Sequence, residues 1–355
     1  MQARFTFRIA HAALIAAFSA GLCGSAIRGQ AETPDGHAAL PKAAYKEVVD
    51  DYGRAVRIPQ PVQRIVSLAP SLTETIYALG LQDRLVGDTD YCDYPPDAQK
   101  KTKVGGTINP NLEQIVALRP DLVLVTKNLN HIETVQALEN LGLASYATDT
   151  HTVHDIISST ERLADVLGAS EAGLSLGASL EHRLADLQQR LSGIPPRRVL
   201  FVVWSDPLIS VGKDTFIGDA LRWAGASSIV ESSQDWPQMN LEEVVRLQPE
   251  FLVFAASHGD SVEASFDAIA ERPGWRGLEA VRQRHFATIS DAVNRPAPRI
   301  VSAIEELARQ LHPEAFAAPA EDPVGRKSPI SPAPSGPSQQ HDDTNESRES
   351  CACVL

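Results

Sequence analysis

One segment occurs twice in the chain, and this duplication constrains the fold more than any other feature of the sequence. NLEQIVALRPDLVLV begins at Asn111 and NLEEVVRLQPEFLVF begins at Asn240, with Asn, Leu, Glu, Val, Leu and Pro at matching places. A second pair lies upstream, where RIVSL begins at Arg64 and RVLFV at Arg198, and both runs are apolar and strand-like. Two copies of one structural plan predict two similar lobes.

Both lobes alternate short apolar runs with helix-like periodicity. In the first lobe we predict strands at 65–68, 85–87 and 122–125, and helices at 71–79, 112–118 and 132–141. In the second we predict strands at 199–203, 251–254 and 286–289, and helices at 216–224, 241–247 and 300–311. Ser71 followed by Glu74 has the spacing of a capping box at the start of the first helix. The alternation predicts an α/β fold of two Rossmann-like lobes with central parallel sheets.

A long helix is predicted between the lobes. From Glu171 to Leu191, leucines recur at positions 176, 180, 184, 187 and 191, which places them on one helix face. At about 1.5 Å per residue this helix is about 32 Å long. It lacks the Gly and Ser content of a flexible linker, so we predict a rigid spacer with a ligand-sized cleft between the lobes.

The two ends of the chain differ in character from the middle. Arg4 and Arg8 precede an apolar run followed by small residues, the layout of a signal peptide cleaved after Ala31 or after Ala26. The C-terminal residues are rich in Pro and Ser and lack apolar periodicity. The predicted organisation is a signal peptide at 1–31, a loosely held leader at 32–59, an N-terminal lobe at 60–168, a connecting helix at 169–193, a C-terminal lobe at 194–316 and a disordered tail at 317–355.

Charge and motif content narrow the class of function. The chain has 45 acidic and 32 basic residues and a net charge of −13, which disfavours nucleic acid as a partner. It contains no Gly-rich phosphate loop and no H-E-x-x-H pair. We therefore expect a binding protein without a catalytic cofactor, and an enzyme that uses the same cleft is the alternative.

Five sequence blocks resemble a known family. RIVSLAPSLTETIYALGL, TDYCDYPPDAQ, VGG followed by NPNLEQIVALRPDLVL, DWPQMNLEEVVRLQPEFLV and SDAVNRPAPRIV occur in this order within residues 60–312. They look like the class III periplasmic substrate-binding proteins of ABC importers, and within that class they are most similar to vitamin B12 (cobalamin)-binding proteins. The resemblance implies a periplasmic monomer that holds cobalamin between two lobes joined by a helical backbone and delivers it to a dimeric permease.

The resemblance also implies which side chains contact the ligand. Tyr91 and Trp236 occupy the places of aromatic residues that face the corrin ring, and Asp291 and Arg295 match a pair that contacts the ligand's amides. Trp204, at the start of the second lobe, is an additional aromatic candidate. Aromatic rings suit a flat amphipathic guest, and a few polar groups fix its orientation. The structural alternatives are surface packing for the aromatic residues and a surface ion pair for Asp291 and Arg295.

Two departures from the family pattern keep other ligands open. Thr107 stands where the family has a tryptophan, and Thr126 stands in the place of another aromatic residue, so two apolar walls are expected to be thinner. Haem, a ferric siderophore or another corrinoid are the alternatives, and Tyr91 would then be an axial iron ligand.

Glu113 and Glu242 occupy the same place in the two repeat copies. Acids placed symmetrically on two lobes suit docking to a two-fold membrane partner with basic sockets, and the resemblance implies the same role against permease arginines. The alternative is a carboxylate that stabilises a helix start, and the two roles are compatible.

Three further side chains raise the question of a metal or redox site. Cys92 is expected to be a buried small side chain. His151 and His154 have the spacing to share one helix face, but we expect both to be solvated rather than to bind a metal ion.

Overall fold

The computed structural model describes residues 44–256 and 262–317. The predicted signal peptide at 1–31 and the predicted tail from residue 318 onward lie outside the described residues. Within the two described ranges, no helix combines the length and the apolar composition that a membrane span requires.

The described part begins with an antiparallel hairpin of β1 (Ala44–Val49) and β2 (Ala55–Gln60). Asp50 closes its turn, because one carboxylate oxygen accepts two backbone N–H groups at 3.0 and 3.1 Å. Val56 and Ile58 are buried in the core of the first lobe. The sequence predicted a loosely held leader over 32–59, whereas residues 44–60 form a hairpin that packs on the lobe.

A five-stranded parallel sheet forms the centre of the N-terminal lobe. In spatial order its strands are β5 (Thr102–Lys103), β4 (Leu85–Asp88), β3 (Ile65–Ser67), β6 (Leu122–Thr126) and β7 (Ser145–Thr148). Its helices are α1 (Pro70–Ala78), α2 (Leu112–Leu118) and α3 (Ile132–Asn140). The direction of winding reverses between β3 and β6, and such switch points open a crevice at the carboxyl ends of the strands.

Two adjacent helices follow, α4 (Val153–Val166) and α5 (Ser170–Leu191), and they lead into a four-stranded parallel sheet. In spatial order its strands are β11 (Ala226–Ser228), β8 (Arg197–Val202), β12 (Phe251–Ala255) and β13 (Phe286–Ile289), and a separate small pair is formed by β9 (Trp204–Ser205) and β10 (Leu208–Ile209). The helices of this lobe are α6 (Phe216–Trp223), α7 (Leu241–Leu247), α8 (Val262–Ala270), α9 (Glu279–Arg282) and α10 (Ile300–Leu311). The strand order matches the first sheet without its edge strand β5, so the predicted α/β fold with two similar lobes is confirmed.

Helices α4 and α5 both link the lobes. Ile156 and Ile157 of α4 belong to the core of the C-terminal lobe, whereas Leu163 belongs to the core of the N-terminal lobe. Leu176 of α5 packs against both cores, and the remaining leucines of the predicted stripe are buried in the C-terminal one. The sequence predicted one connecting helix, and the structure adds α4 beside it.

Two glycines bring α4 and α5 close together. A Cβ atom at Gly173 would lie 2.4 Å from the Cβ of Ala164, and one at Gly177 would lie 2.0 Å from the end of the Glu161 side chain. Gly173–Gly177 also spells the G-x-S-x-G pattern of hydrolase nucleophile turns, but it lies inside a helix, where that strand–turn–helix context is missing. These glycines are therefore packing residues.

Replacing Gly173 with Ala should lower the free energy of unfolding by about 1–3 kcal/mol, because the new methyl group meets a side chain that cannot move away. Helix propensity alone predicts the opposite sign, a gain of about 1 kcal/mol. Gly177→Ala is the matched control, since the flexible Glu161 side chain can turn aside. Denaturant unfolding measures both, and a stabilised Gly173→Ala variant would contradict the close packing.

The two repeat copies form the same local structure. Asn111 and Asn240 are the N-caps of α2 and α7, and each side chain accepts a backbone N–H of the first turn. Arg119 and Gln248 end these helices in the left-handed region at φ 46°. The duplicated sequence thus encodes a helix, its two caps and the buried strand that follows it.

The arginine that precedes each core strand also has a matching role. Arg64 donates to the carbonyl oxygen of Leu118 at 2.6 Å, and Arg198 donates to that of Leu247 at 2.9 Å. Both guanidinium groups therefore neutralise the carbonyl end of the repeat helix, where positive charge is favourable.

The predicted capping box at Ser71 and Glu74 is wrong. Helix α1 begins at Pro70 with Ala69 as its N-cap, and no side chain caps it. Proline is favoured at the first helical position, and this start places Ser71 inside the helix. Glu74 is thereby available for contacts with the other lobe.

Candidate ligand-binding site

A cleft of about 450 Å³ lies between the lobes and is lined from both sides. The N-terminal lobe contributes the segments at the carboxyl ends of β3, β6 and β7, with Ser71, Thr126, Asn128, Leu129, Thr150 and His151. The C-terminal lobe contributes Thr215, Phe216, Ile217, Asp235, Trp236, Asn294 and Pro296. The N-terminal wall includes the switch point between β3 and β6, where α/β sheets commonly bind ligands.

The lining is mostly uncharged. Hydroxyl and amide groups alternate with apolar side chains, and His151 and Asp235 are the ionisable groups among the described lining residues. No lysine or arginine of the described chain lines this cleft. Such a surface offers hydrogen bonds and apolar contact but no compensation for a ligand's negative charge.

Trp236 is the predicted aromatic contact that the structure places in the cleft. Its side chain is prominent, with 56% of the residue exposed. The backbone on both sides is held, because the carbonyl of Asp235 accepts Gly212 N–H at 3.1 Å and that of Pro237 accepts Ser210 N–H at 3.0 Å. A fixed backbone with an exposed indole is the arrangement expected of a preformed aromatic anchor.

Trp204 lies on the adjacent β9–β10 pair but does not line the cleft. Ile209, which pairs with Trp204 across these two strands, also forms a β-bridge to Gln238. The β9–β10 pair therefore lies beside the chain segment that carries Trp236. The indole Nε1 donates to the carbonyl of Asp206 at 2.7 Å, and 61% of the residue is exposed. Its assignment as a ligand contact stays a prediction.

Tyr91 lies in the loop after β4, is 62% exposed and does not line the cleft. Lys103 secures this loop by donating to Asp88 at 2.8 Å and to the carbonyl of Cys92 at 3.0 Å. Burial raises the pKa of Asp88 to about 6, although Lys103 acts to lower it. The Cys92 thiol is buried against Thr73, as expected for a packing side chain, and burial raises its pKa.

A buried ion-pair network joins the lobes. Glu74 of α1, whose side chain is 3% exposed, accepts hydrogen bonds from Arg295 at 3.0 Å and from Arg299 at 2.9 Å. Burial acts to lower the pKa of both guanidinium groups, but the hydrogen bonds that they donate to carboxylates outweigh burial, and the pKa of each is raised. These three residues form the centre of what we call the interlobe network. Its other members, described next, are Asp93, Tyr94 and Asp291.

The rest of the network surrounds this centre. Asp93 pairs with Arg295 at 2.6 Å, and Asp291 pairs with Arg299 at 3.0 Å. The Arg299 guanidinium lies 3.9 Å from the centroid of the Tyr94 ring. Asp291 and Arg295, predicted as ligand contacts, thus lie between the lobes but outside the cleft lining, and that role stays a prediction.

The two departures from the family pattern have different surroundings. Thr126 lines the cleft, whereas Thr107 is buried and its carbonyl accepts the Asn130 amide at 2.7 Å. Phe216 supplies an apolar wall from the second lobe, which the sequence did not indicate.

Glu113 and Glu242 are exposed in the first turns of α2 and α7. Their matching positions in the two lobes are those that the repeat predicted, and both carboxylates are accessible to a partner. The docking role itself stays a prediction.

Among the described residues, no group of three or more His, Cys, Asp or Glu side chains has the geometry to hold a metal ion. His154 is exposed on α4, as expected of a solvated residue. His151 is exposed as well, and it lies in the cleft wall, a position that its spacing from His154 did not reveal.

Comparison with known proteins gives one consistent family. The family model described as periplasmic binding protein matches residues 65–293. An uncharacterized ABC transporter substrate-binding lipoprotein of Bacillus subtilis is 31% identical over 86% of this chain and 96% of its own. A vitamin B12-binding protein of Vibrio cholerae is 31% identical over 71% of this chain and 90% of its own.

Solved structures agree on the fold. The crystal structure of the periplasmic vitamin B12-binding protein BtuF of Vibrio cholerae aligns with a TM-score of 0.61 and 28% identity, covering 73% of this chain and 99% of that one. A periplasmic heme-binding protein of Roseiflexus aligns with a TM-score of 0.62 and 24% identity, covering 72% and 99%, and at that identity it bears on the fold alone. The chain therefore belongs to the periplasmic binding protein family, in the class that serves ABC importers with two α/β lobes joined by a helical backbone.

Proposed function

We propose that the protein captures cobalamin in the periplasm, in the cleft between its lobes, and delivers it to the permease of an ABC importer. The observation that carries the proposal is the mostly uncharged lining of the cleft, with hydroxyl and amide groups and no lysine or arginine among the described lining residues. Cobalamin presents neutral amide side chains around its corrin ring, and these match such groups. The Vibrio cholerae relatives named for vitamin B12 binding support the same ligand.

Charge separates cobalamin from haem, the main alternative. Haem carries two carboxylates, and burying them beside Asp235 without a cation would be unfavourable. The cations near the lobe junction, Arg295 and Arg299, are paired with Glu74, Asp93 and Asp291. Anionic ferric siderophores meet the same difficulty.

Size is consistent with partial enclosure of a large ligand. A space of about 450 Å³ holds the part of the corrin that enters between the walls, and the rest extends along the exposed face of Trp236. The binding energy then comes from aromatic contact and hydrogen bonds in a largely preformed site, because α4 and α5 together resist a large change in the lobe angle.

The proposal is tested by mixing the mature protein with cyanocobalamin or with haemin, followed by desalting and a spectrum of the protein fraction. Stoichiometric retention of the corrinoid, and loss of haemin, is the expected result. Stoichiometric retention of haemin with loss of the corrinoid would contradict the proposal and identify haem as the ligand. Turnover of a substrate without retention would indicate an enzyme.

Replacing Trp236 with Ala should weaken cyanocobalamin binding by about 1–3 kcal/mol, the range for an aromatic anchor that the bound ligand covers. Trp204→Ala is the comparison variant, because it shows how much each of the two exposed indoles of this region contributes to affinity. Trp223→Ala is unsuitable as a control, since Trp223 packs against the core. Isothermal titration gives both affinities. An unchanged affinity in Trp236→Ala would remove this side chain from the binding site.

We further propose that Glu113 and Glu242 dock the two lobes onto the permease dimer. Their exposure at matching helix starts supports the proposal, because a two-fold partner presents the same basic surface to each lobe.

A further inference from the structure

We propose that His151 coordinates the cobalt of the bound corrinoid and makes the protein selective for forms with an exchangeable axial ligand. This inference rests on the proposed cobalamin function and adds a metal–ligand bond to it. His151 is the one imidazole among the described cleft-lining residues, and its side chain is 62% exposed. The chain has 10 histidines, so its placement in the cleft is what distinguishes this one.

A neighbouring carboxylate prepares the ring for this role. His151 Nε2 lies 3.0 Å from Asp149 Oδ1, and that oxygen is buried without a hydrogen-bond partner among the described residues. The unpaired oxygen favours the tautomer with hydrogen on Nε2, which leaves the lone pair on Nδ1. Metal-bound histidines commonly have such a carboxylate on their other nitrogen, which orients the ring and raises its basicity.

Lys127 fixes the carboxylate in turn. Its ammonium group lies 2.6 Å from Asp149 Oδ2, and Asp149 N–H donates to Asp51 Oδ2 at 2.8 Å. The hydrogen bond to Asp149 is the main cause of the raised pKa of Lys127, so the cation persists at neutral pH. Lys127 and Asp51 thereby hold Asp149 in place beside the imidazole.

The position of His151 suits the geometry of a planar guest. A flat ring held between two lobes presents one face to each lobe, and its axial metal site points along the normal to the ring. His151 approaches from the N-terminal lobe after β7, and Trp236 approaches from the C-terminal lobe. A single histidine is sufficient here, because the ligand itself supplies the other five donors, four from the corrin ring and one from its nucleotide base.

The step is a ligand exchange without redox chemistry. The lone pair of His151 forms a bond to Co(III), the bond from cobalt to its axial water breaks, and the water leaves with its own electron pair. Cyanocobalamin cannot undergo this exchange readily, because cyanide is a strong ligand that stays on the metal. The protein should therefore bind aquocobalamin about tenfold or more tightly than cyanocobalamin.

The test compares these two corrinoids with the mature wild-type protein and with His151→Ala and His154→Ala variants. His154, exposed three residues further along the chain, is the matched control for chance coordination by a surface histidine. The absorption spectrum of aquocobalamin reports the ligand exchange directly, since imidazole in place of water shifts its main bands to longer wavelength. Titration calorimetry gives the ratio of the two dissociation constants.

The expected result is a band shift at one corrinoid per protein and a preference for aquocobalamin, both retained in His154→Ala and both lost in His151→Ala. Tight binding of both corrinoids without a band shift would overturn the His151 proposal and leave the cobalamin function standing. A shift that persists in His151→Ala would assign the bond to another residue and also overturn it. Failure to bind either corrinoid would overturn the proposed function itself.

Discussion

Replacing Glu74 with Ala should lower the free energy of unfolding by about 3–5 kcal/mol, the range for breaking a buried ion pair by removal of one partner. Glu74 is 3% exposed at its side chain and accepts hydrogen bonds from both Arg295 and Arg299. Without it, the two guanidinium groups would face each other between the lobes, and Asp93 and Asp291 at the periphery would compensate only part of their charge.

Glu133→Ala is the matched control for this variant. Glu133 is an exposed carboxylate in the first turn of α3, and its loss should change stability by less than about 0.5 kcal/mol. Urea unfolding of both variants gives the comparison. A Glu74→Ala loss as small as that of the control would mean that the interlobe network does not hold the lobes together.

Reversing both docking acids, Glu113→Lys with Glu242→Lys, should abolish uptake of cobalamin while leaving its affinity for the binding protein unchanged. Each charge reversal replaces attraction to a basic socket of the permease by repulsion. Because the permease dimer is two-fold symmetric, this repulsion occurs at both lobes. Neither residue lines the cleft. Uptake is measured with labelled cobalamin in proteoliposomes that contain the permease, and affinity by titration.

The chain offers a matched control for this pair as well. Glu133 and Glu171 are exposed acids in the first turns of α3 and α5, so their double reversal changes net charge and helix-start electrostatics by the same amount. With the Glu133→Lys and Glu171→Lys variant, uptake of cobalamin should be normal. Normal uptake by the Glu113 and Glu242 variant, or equal loss in the control, would remove the docking proposal.

Much of the fold was predictable because its signals are local. The predicted bounds of α2, α7, β13 and α10 coincide with the observed ones. In α2 and α7 an asparagine cap marks the start, and a residue before proline marks the end. The duplication then relates the two lobes, since equal sequence produces equal helix–strand units.

What escaped prediction depends on contacts between distant residues. Glu74 has the local pattern of a capping acid, but its partners Arg295 and Arg299 lie 221 and 225 positions away. The β1–β2 hairpin has alternating residues and a turn, yet its stability comes from packing on the lobe core. His151 is exposed, as expected, but its place in the cleft wall escaped prediction, because only the meeting of two lobes turns its loop into such a wall.

The central claim is that a corrinoid is held between the two lobes and is not transformed there. A crystal structure of the mature protein with cyanocobalamin tests this most directly. We predict intact ligand density between the lobes, in contact with Trp236 and with the hydroxyl-rich segments at the carboxyl ends of β3, β6 and β7. Density on an outer face of either lobe, or a cleft that stays empty at saturating ligand, would contradict the account.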